Sequence, residues 1–177
     1  MKTLRALSVL MAAVMTAGCG YTLVGRASNL PEDIKKVYIE PLQNGTTRPQ
    51  VEQILTQAIS DELLTRRRFE VVNTAEDADA ILRGSVDRFG VRALTFNSQG
   101  LVDRFEISIT ANMKFQRATA SGGDEPEIVW ENARYVFRED YPVEDEGGVY
   151  FDRENIAIEE TAERFAETLL TDLLEGF

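Results

Sequence analysis

Residues able to do chemistry are scarce in this chain. Its 177 residues include no histidine and a single cysteine, Cys19. That excludes a Ser-His-Asp triad, a Cys-His pair, a His-ligated zinc site and an internal disulfide. Carboxylates are plentiful: 30 Asp and Glu stand against 19 Lys and Arg, for a net charge of −11. Two clusters could be paired acids, Asp61-Glu62 and Glu144-Asp145-Glu146. Glycoside cleavage needs two carboxyls fixed roughly 5–10 Å apart. One cluster falls on a predicted helix and the other in a predicted loop, both placed for solvent and not for a buried site. Glu144 to Gly147 lacks the spacing of an EF-hand loop. Ser85, Ser98 and Ser108 have no base to activate them, and there is no P-loop and no G-x-G-x-x-G. The expectation is a protein that is not an enzyme and holds no cofactor or metal. Its acidity also argues against nucleic acid as a partner.

Cys19 has a different use. Lys2 and Arg5 open the chain, and Ala6 to Ala17 is a nearly unbroken apolar run. About a dozen residues are too few for a span, which needs roughly 20, but they suit a secretory signal peptide. The run ends in Thr16-Ala17-Gly18-Cys19, which resembles the lipobox of a bacterial lipoprotein. The resemblance implies cleavage before Cys19 and a covalent N-acyl diglyceride on it. Gly20 follows the cysteine where an inner-membrane lipoprotein typically has Asp, so the outer membrane is implied. Loss of residues 1–18 would leave 17 basic against 30 acidic residues, net −13.

The mature length suits one domain with its own core. The expected organisation is a signal peptide over 1–18, a lipidated tether over 19–36 and a single domain over 37–177. Val37 to Leu42 reads as a strand and Asn44-Gly45 as a turn. Pro49 suits the first turn of a helix. Val51, Ile54, Leu55, Ala58, Ile59 and Leu63 form its apolar stripe, and Arg66, Arg67 and Arg68 close it. The triplet could also be a ligand patch. Phe69 to Asn73 is a short strand. Ala80 to Phe96 and Leu101 to Ala118 are long strands joined by the loop Asn97-Ser98-Gln99-Gly100. In the second, Phe105, Ile107, Ile109, Ala111, Met113 and Phe115 alternate with polar residues, so one face is buried and one wet. The first changes phase between Val86 and Phe89, and a β-bulge is expected near Gly90. Glu127 to Tyr141 is a further strand of mixed phase. Arg153 to Leu174 is a second helix, apolar at Ile158, Ala162, Phe165, Leu169 and Leu173. Single-faced elements must cover each other. The predicted fold is α+β: a two-layer sandwich with two helices on one face of a mainly antiparallel four- to five-stranded sheet.

The string Cys19-Gly20-Tyr21, Leu23, Gly25, Leu30-Pro31, Ile34 and Val37 is similar in content and spacing to the LPS-assembly lipoprotein family LptE. So is its continuation through Ile39, Asn44, Thr46 and Pro49 into Val51-Glu52, Leu55-Thr56 and Ala58-Ile59. The resemblance implies a lipoprotein on the periplasmic side of the outer membrane, lipid-anchored and seated one-to-one in the lumen of the LptD β-barrel. There it assists barrel assembly and delivery of lipopolysaccharide. Bound lipopolysaccharide carries phosphates, which cations recognise. Arg88, Arg92, Arg104, Lys114, Arg134 and Arg138 on the predicted strands are candidate contacts. They could equally be solvated or cross-strand paired charges. The overall acidity favours the plug role over autonomous lipid binding. Ala78-Asp79-Ala80-Ile81-Leu82-Arg83-Gly84 also resembles curli-secretion (CsgG-type) and TolB-like periplasmic domains, which would imply a subunit of another envelope complex.

Overall fold

The computed structural model describes residues 30–119, 125–142 and 150–175. The predicted signal peptide, Cys19, most of the predicted tether and the Glu144-Asp145-Glu146 cluster lie outside them. The elements run β1 (Lys36–Ile39), β2 (Gln43–Asn44), α1 (Val51–Arg66), β3 (Glu70–Val72), a 3-10 turn (Ala75–Asp77), β4 (Ala80–Phe96), β5 (Val102–Arg117), β6 (Ile128–Pro142) and α2 (Tyr150–Glu175).

Six strands form one open sheet in the order β3-β1-β4-β5-β6, with the short β2 also pairing with β4. The sheet is mixed. β1 pairs in parallel with β3 and with β4, and β2 is parallel to β4. The two long ladders, β4–β5 and β5–β6, are antiparallel. The parallel part has a simple cause: α1 carries the chain from β2 to β3, and a helical crossover returns it in the same direction. The two-layer α+β sandwich is thus as expected, with six strands instead of four or five and a parallel flank.

The helices cover one sheet face. Val51, Leu55, Ile59 and Leu63 of α1 recur every four residues and are buried. On α2, Ala157, Ile158, Ala162, Phe165, Ala166, Leu169, Leu170, Leu173 and Leu174 are buried. They meet Val37, Leu82, Val86, Ile107, Ile109, Met113 and Phe115 from the sheet. Phe165 is fully enclosed, edge-on to the rings of Tyr135 at 5.5 Å and Phe137 at 5.9 Å. Burial, reinforced by Asp172, raises the Tyr135 phenol above its usual range. Leu30 and Ile34, read as part of the tether, also insert into this core. They are apolar side chains beside buried β-strand residues, so the folded unit begins before residue 37.

Three local details depart from the sequence reading. The β-bulge in the middle of β4 lies at Asp87, between Val86 and Arg88, and Gly90 pairs regularly with Ser108. The phase change therefore comes from an exposed acid that points outward with Ser85, whose hydroxyl donates to Asp87 Oδ1 at 2.7 Å. Pro49 precedes α1 instead of sitting in its first turn. The cap is Gln50, in left-handed conformation at φ 66°. Asn44, read with Gly45 as a turn, instead ends β2 in register with Val86 of β4, and the bend follows at Thr46–Arg48.

β1 ends at Ile39, short of the expected Leu42, and the expected mixed phase of β6 follows from register shifts opposite Ala111–Met113 and Phe115–Gln116. α1 ends at Arg66, with Arg67 as its cap at φ 51°. The hairpin loop after β4 closes on Asn97, whose N–H donates to Leu101 O at 2.8 Å. Its Oδ1 accepts from the N–H groups of Gln99 and Leu101. Gly100 supplies the positive φ, +77°, that this turn requires.

Candidate functional site

The site follows from the uncovered face of the sheet. Strict alternation on β5 sends Arg104, Glu106, Ser108, Thr110, Asn112 and Lys114 away from the helices. Register then sets rows across β4, β5 and β6: Arg83, Lys114 and Glu131; Arg88, Thr110 and Val136; Gly90, Ser108 and Arg138; Arg92, Glu106 and Asp140. Among the described residues, no helix covers this face. It is a broad polar surface roughly three strands wide.

Four of the six predicted cations sit in pairs. Arg92 donates through Nε and Nη2 to the two oxygens of Glu106, at 2.8 and 3.1 Å. Arg138 Nε lies 4.0 Å from the same carboxylate. The bond from Arg92 holds the Glu106 carboxyl below its ordinary range, against the opposing effect of desolvation. Arg104 is paired with Asp140, its Nε 3.0 Å from Oδ2. Lys114 Nζ is 2.8 Å from Glu131 Oε1. Arg88 and Arg134 are exposed and have no carboxylate partner among the described residues. Five of the six therefore share this face, while Arg134 lies in the register shift of β6 opposite Ala111–Met113; only Arg88 and Arg134 are outside the ion pairs described. Arg83 belongs to this face as well, 2.8 Å from Glu40. Its inclusion was readable, because Leu82, Gly84 and Val86 alternate inward around it.

The predicted carboxylate pair on α1 is taken up locally. Asp61 accepts from Gln57 Nε2 at 3.0 and 3.1 Å, and Glu62 pairs with Arg66 at 2.6 Å. Among the described residues, no group of three or more Cys, Asp or Glu could hold a metal ion. No described helix is long and apolar enough to cross a membrane.

The fold and this face define a class: a small α+β sandwich that presents a bare, polar, internally charge-paired sheet. The chain belongs to the LptE family, described as lipopolysaccharide-assembly, whose model matches residues 34–173. No curated protein matches the sequence. Among solved structures, an uncharacterized lipoprotein B from Nitrosomonas europaea is similar, with TM-score 0.51 and 20% identity. The match covers 88% of this chain and 90% of that one. The hypothetical protein CT253 from Chlamydia trachomatis superposes with TM-score 0.54 at 8% identity, covering 81% and 97%. Protein XCC0632 from Xanthomonas campestris gives TM-score 0.50 at 14% identity, covering 82% and 88%. At such identities these likenesses carry the fold alone.

Proposed function

We propose that this chain is a non-enzymatic outer-membrane lipoprotein that plugs the LptD β-barrel one-to-one. In that role it assists assembly of the barrel and helps deliver lipopolysaccharide to the outer leaflet. The observation that supports the reading is the uncovered sheet face. The lumen of a wide outer-membrane barrel is polar. A surface inserted there must be polar too, and charges already paired cost less to desolvate than lone ones. The face presented by Arg92, Glu106, Arg104, Asp140, Lys114 and Glu131 meets both requirements. Length fits as well. The 17 residues of β4 span about 55 Å at roughly 3.3 Å each, more than a hydrocarbon core of about 30 Å.

In this reading Cys19 carries the N-acyl diglyceride that holds the chain at the periplasmic leaflet. Several acyl chains anchor far more firmly than one. Arg88 and Arg134 are then the cations open to lipopolysaccharide phosphates. Co-purification tests the role. The tagged chain should bring LptD with it at one-to-one, and deleting the gene should lower folded LptD and surface lipopolysaccharide. A self-assembled ring without LptD would contradict the reading and favour a subunit of another envelope complex.

A further inference from the structure

We propose that the outer edge of β6 pairs with the same edge of a second copy of this chain, antiparallel and about a two-fold axis at Glu139. The proposal goes beyond the barrel role and does not depend on it: the dimer is the state of a copy outside a barrel.

The two ends of the sheet differ. β3 closes one end with three residues. β6 closes the other with 15, and among the described residues no strand pairs with its outer side. Such an edge presents a row of backbone N–H and C=O groups, and their spacing is matched by another extended strand. Shortness, lysine and internal proline are the common protections of an edge. β6 has no lysine, and its one proline, Pro142, is its last residue. An irregularity near Arg134 divides the strand, and there the Arg134 N–H donates to Asn132 Oδ1 at 3.0 Å. Beyond it Tyr135 to Pro142 run straight, in unbroken register with Ala111 to Arg104 of β5.

Side chains select the occupant and its register. Arg138 and Asp140 lie on the outer face, and Phe137, Glu139 and Tyr141 on the helix side. A two-fold axis normal to the sheet keeps the faces of two copies aligned, so it passes through a residue that meets itself. Centred on Arg138 or Asp140, the pairing sets like charges opposite each other, which is destabilising. Centred on Val136, Arg138 would meet Arg134, and centred on Phe137 it would meet Val136. Centred on Glu139, each Arg138 meets the other copy's Asp140, and each Phe137 the other copy's Tyr141. Opposite charges then pair on one face and aromatic rings on the other, both favourable across strands. Glu139 meets itself, and each carboxylate brings its own cation, Arg164 Nη1 at 3.0 Å. The paired stretch is Val136 to Pro142 in both copies, and the polar outer face stays bare. So short a pairing makes a small interface, for which a Kd of about 10–100 μM is expected.

The test uses the mature chain with Cys19→Ala, so that an introduced cysteine is the sole thiol. Sedimentation equilibrium should show monomer passing to dimer over about 10–500 μM. Arg138→Ala should weaken association at least about tenfold, the loss expected for a hydrogen bond to a charged group. Under mild oxidation Glu139→Cys should link to itself, because facing Cα atoms about 4.5–5.5 Å apart suit a disulfide. Val136→Cys and Pro142→Cys should link when mixed and not when either is alone. A chain that stays monomeric throughout would leave the edge to a strand of some other protein, and it overturns the proposal. So does a dimer that lacks the Glu139→Cys link, or one whose affinity Arg138→Ala leaves unchanged.

Discussion

Glu106 and Arg92 face each other across the β4–β5 ladder, and the guanidinium donates to both carboxylate oxygens. Arg138 approaches the same carboxylate from β6, at 4.0 Å. One acid therefore neutralises part of two arginines on the outer face. Glu106→Gln should free both and strengthen binding of lipopolysaccharide severalfold. Arg88→Gln should weaken it about tenfold, the loss expected for one hydrogen bond to a charged group. Equilibrium binding of fluorescent lipopolysaccharide checks both directions, and unchanged affinity in both variants would remove the outer face as a lipid contact.

Gly84 is required by close packing. A Cβ there would stand 2.2 Å from Asn112 O and 2.7 Å from Met113 Sδ. Gly84→Ala should cost about 1–3 kcal/mol, the usual range for overpacking. At Gly90 the nearest atom would be Ser108 Oγ at 3.1 Å, a side chain that can turn away. Gly90→Ala should therefore cost less than Gly84→Ala in urea denaturation, and the reverse order would contradict the packing described.

Phe165 joins α2 to β6 through two edge-on rings. Phe165→Ala should lower stability by about 3–5 kcal/mol. The loss should appear as a lower urea midpoint with a slope little changed. A loss under about 1 kcal/mol would mean that α2 is held by other contacts.

Acid should loosen the β1 end of the sheet. The N–H groups of Lys36 and Lys35 donate to the Asp79 carboxylate at 2.8 and 2.9 Å, which lowers its pKa below the ordinary 3.8. Asp33 is lowered likewise, chiefly by its bond from Arg117. A lowered folded pKa means stability that is complete above the unfolded value and is lost as pH falls through the folded one. The urea midpoint should hold above about pH 5 and fall below about pH 4, and Asp79→Asn should flatten that acid limb. An unchanged limb in the variant would show that other acids dominate.

Much of this architecture is readable from side-chain period. The alternation from Phe105 to Phe115 places the buried and wet faces of β5 before any coordinates. The apolar spacing of three and four on both helices does the same for the other layer. The parallel flank is not readable, because β1, β2 and β3 have four, two and three residues, too few for a period. The phase change from Val86 to Phe89 is legible, but glycine type favours Gly90 as its site while Asp87 is the residue that takes it. Alternation alone puts Arg104 and Lys114 on the wet face of β5, whereas the mixed phase of β6 leaves the side of Arg134 and Arg138 open. Which of them are neutralised depends on register, and register depends on the bulges. That is why Arg92 with Glu106, Arg104 with Asp140 and Lys114 with Glu131 could be paired only in three dimensions.

The barrel-plug role makes one local demand: the centre of the outer face must lie against LptD. Thr110 is that centre, in register with Arg88 on one side and Val136 on the other. A photocrosslinking amino acid at position 110, irradiated in living cells, should form a covalent adduct with LptD. Absence of that adduct while the variant is lipidated and folded, or crosslinks only between copies of this chain, would contradict the role.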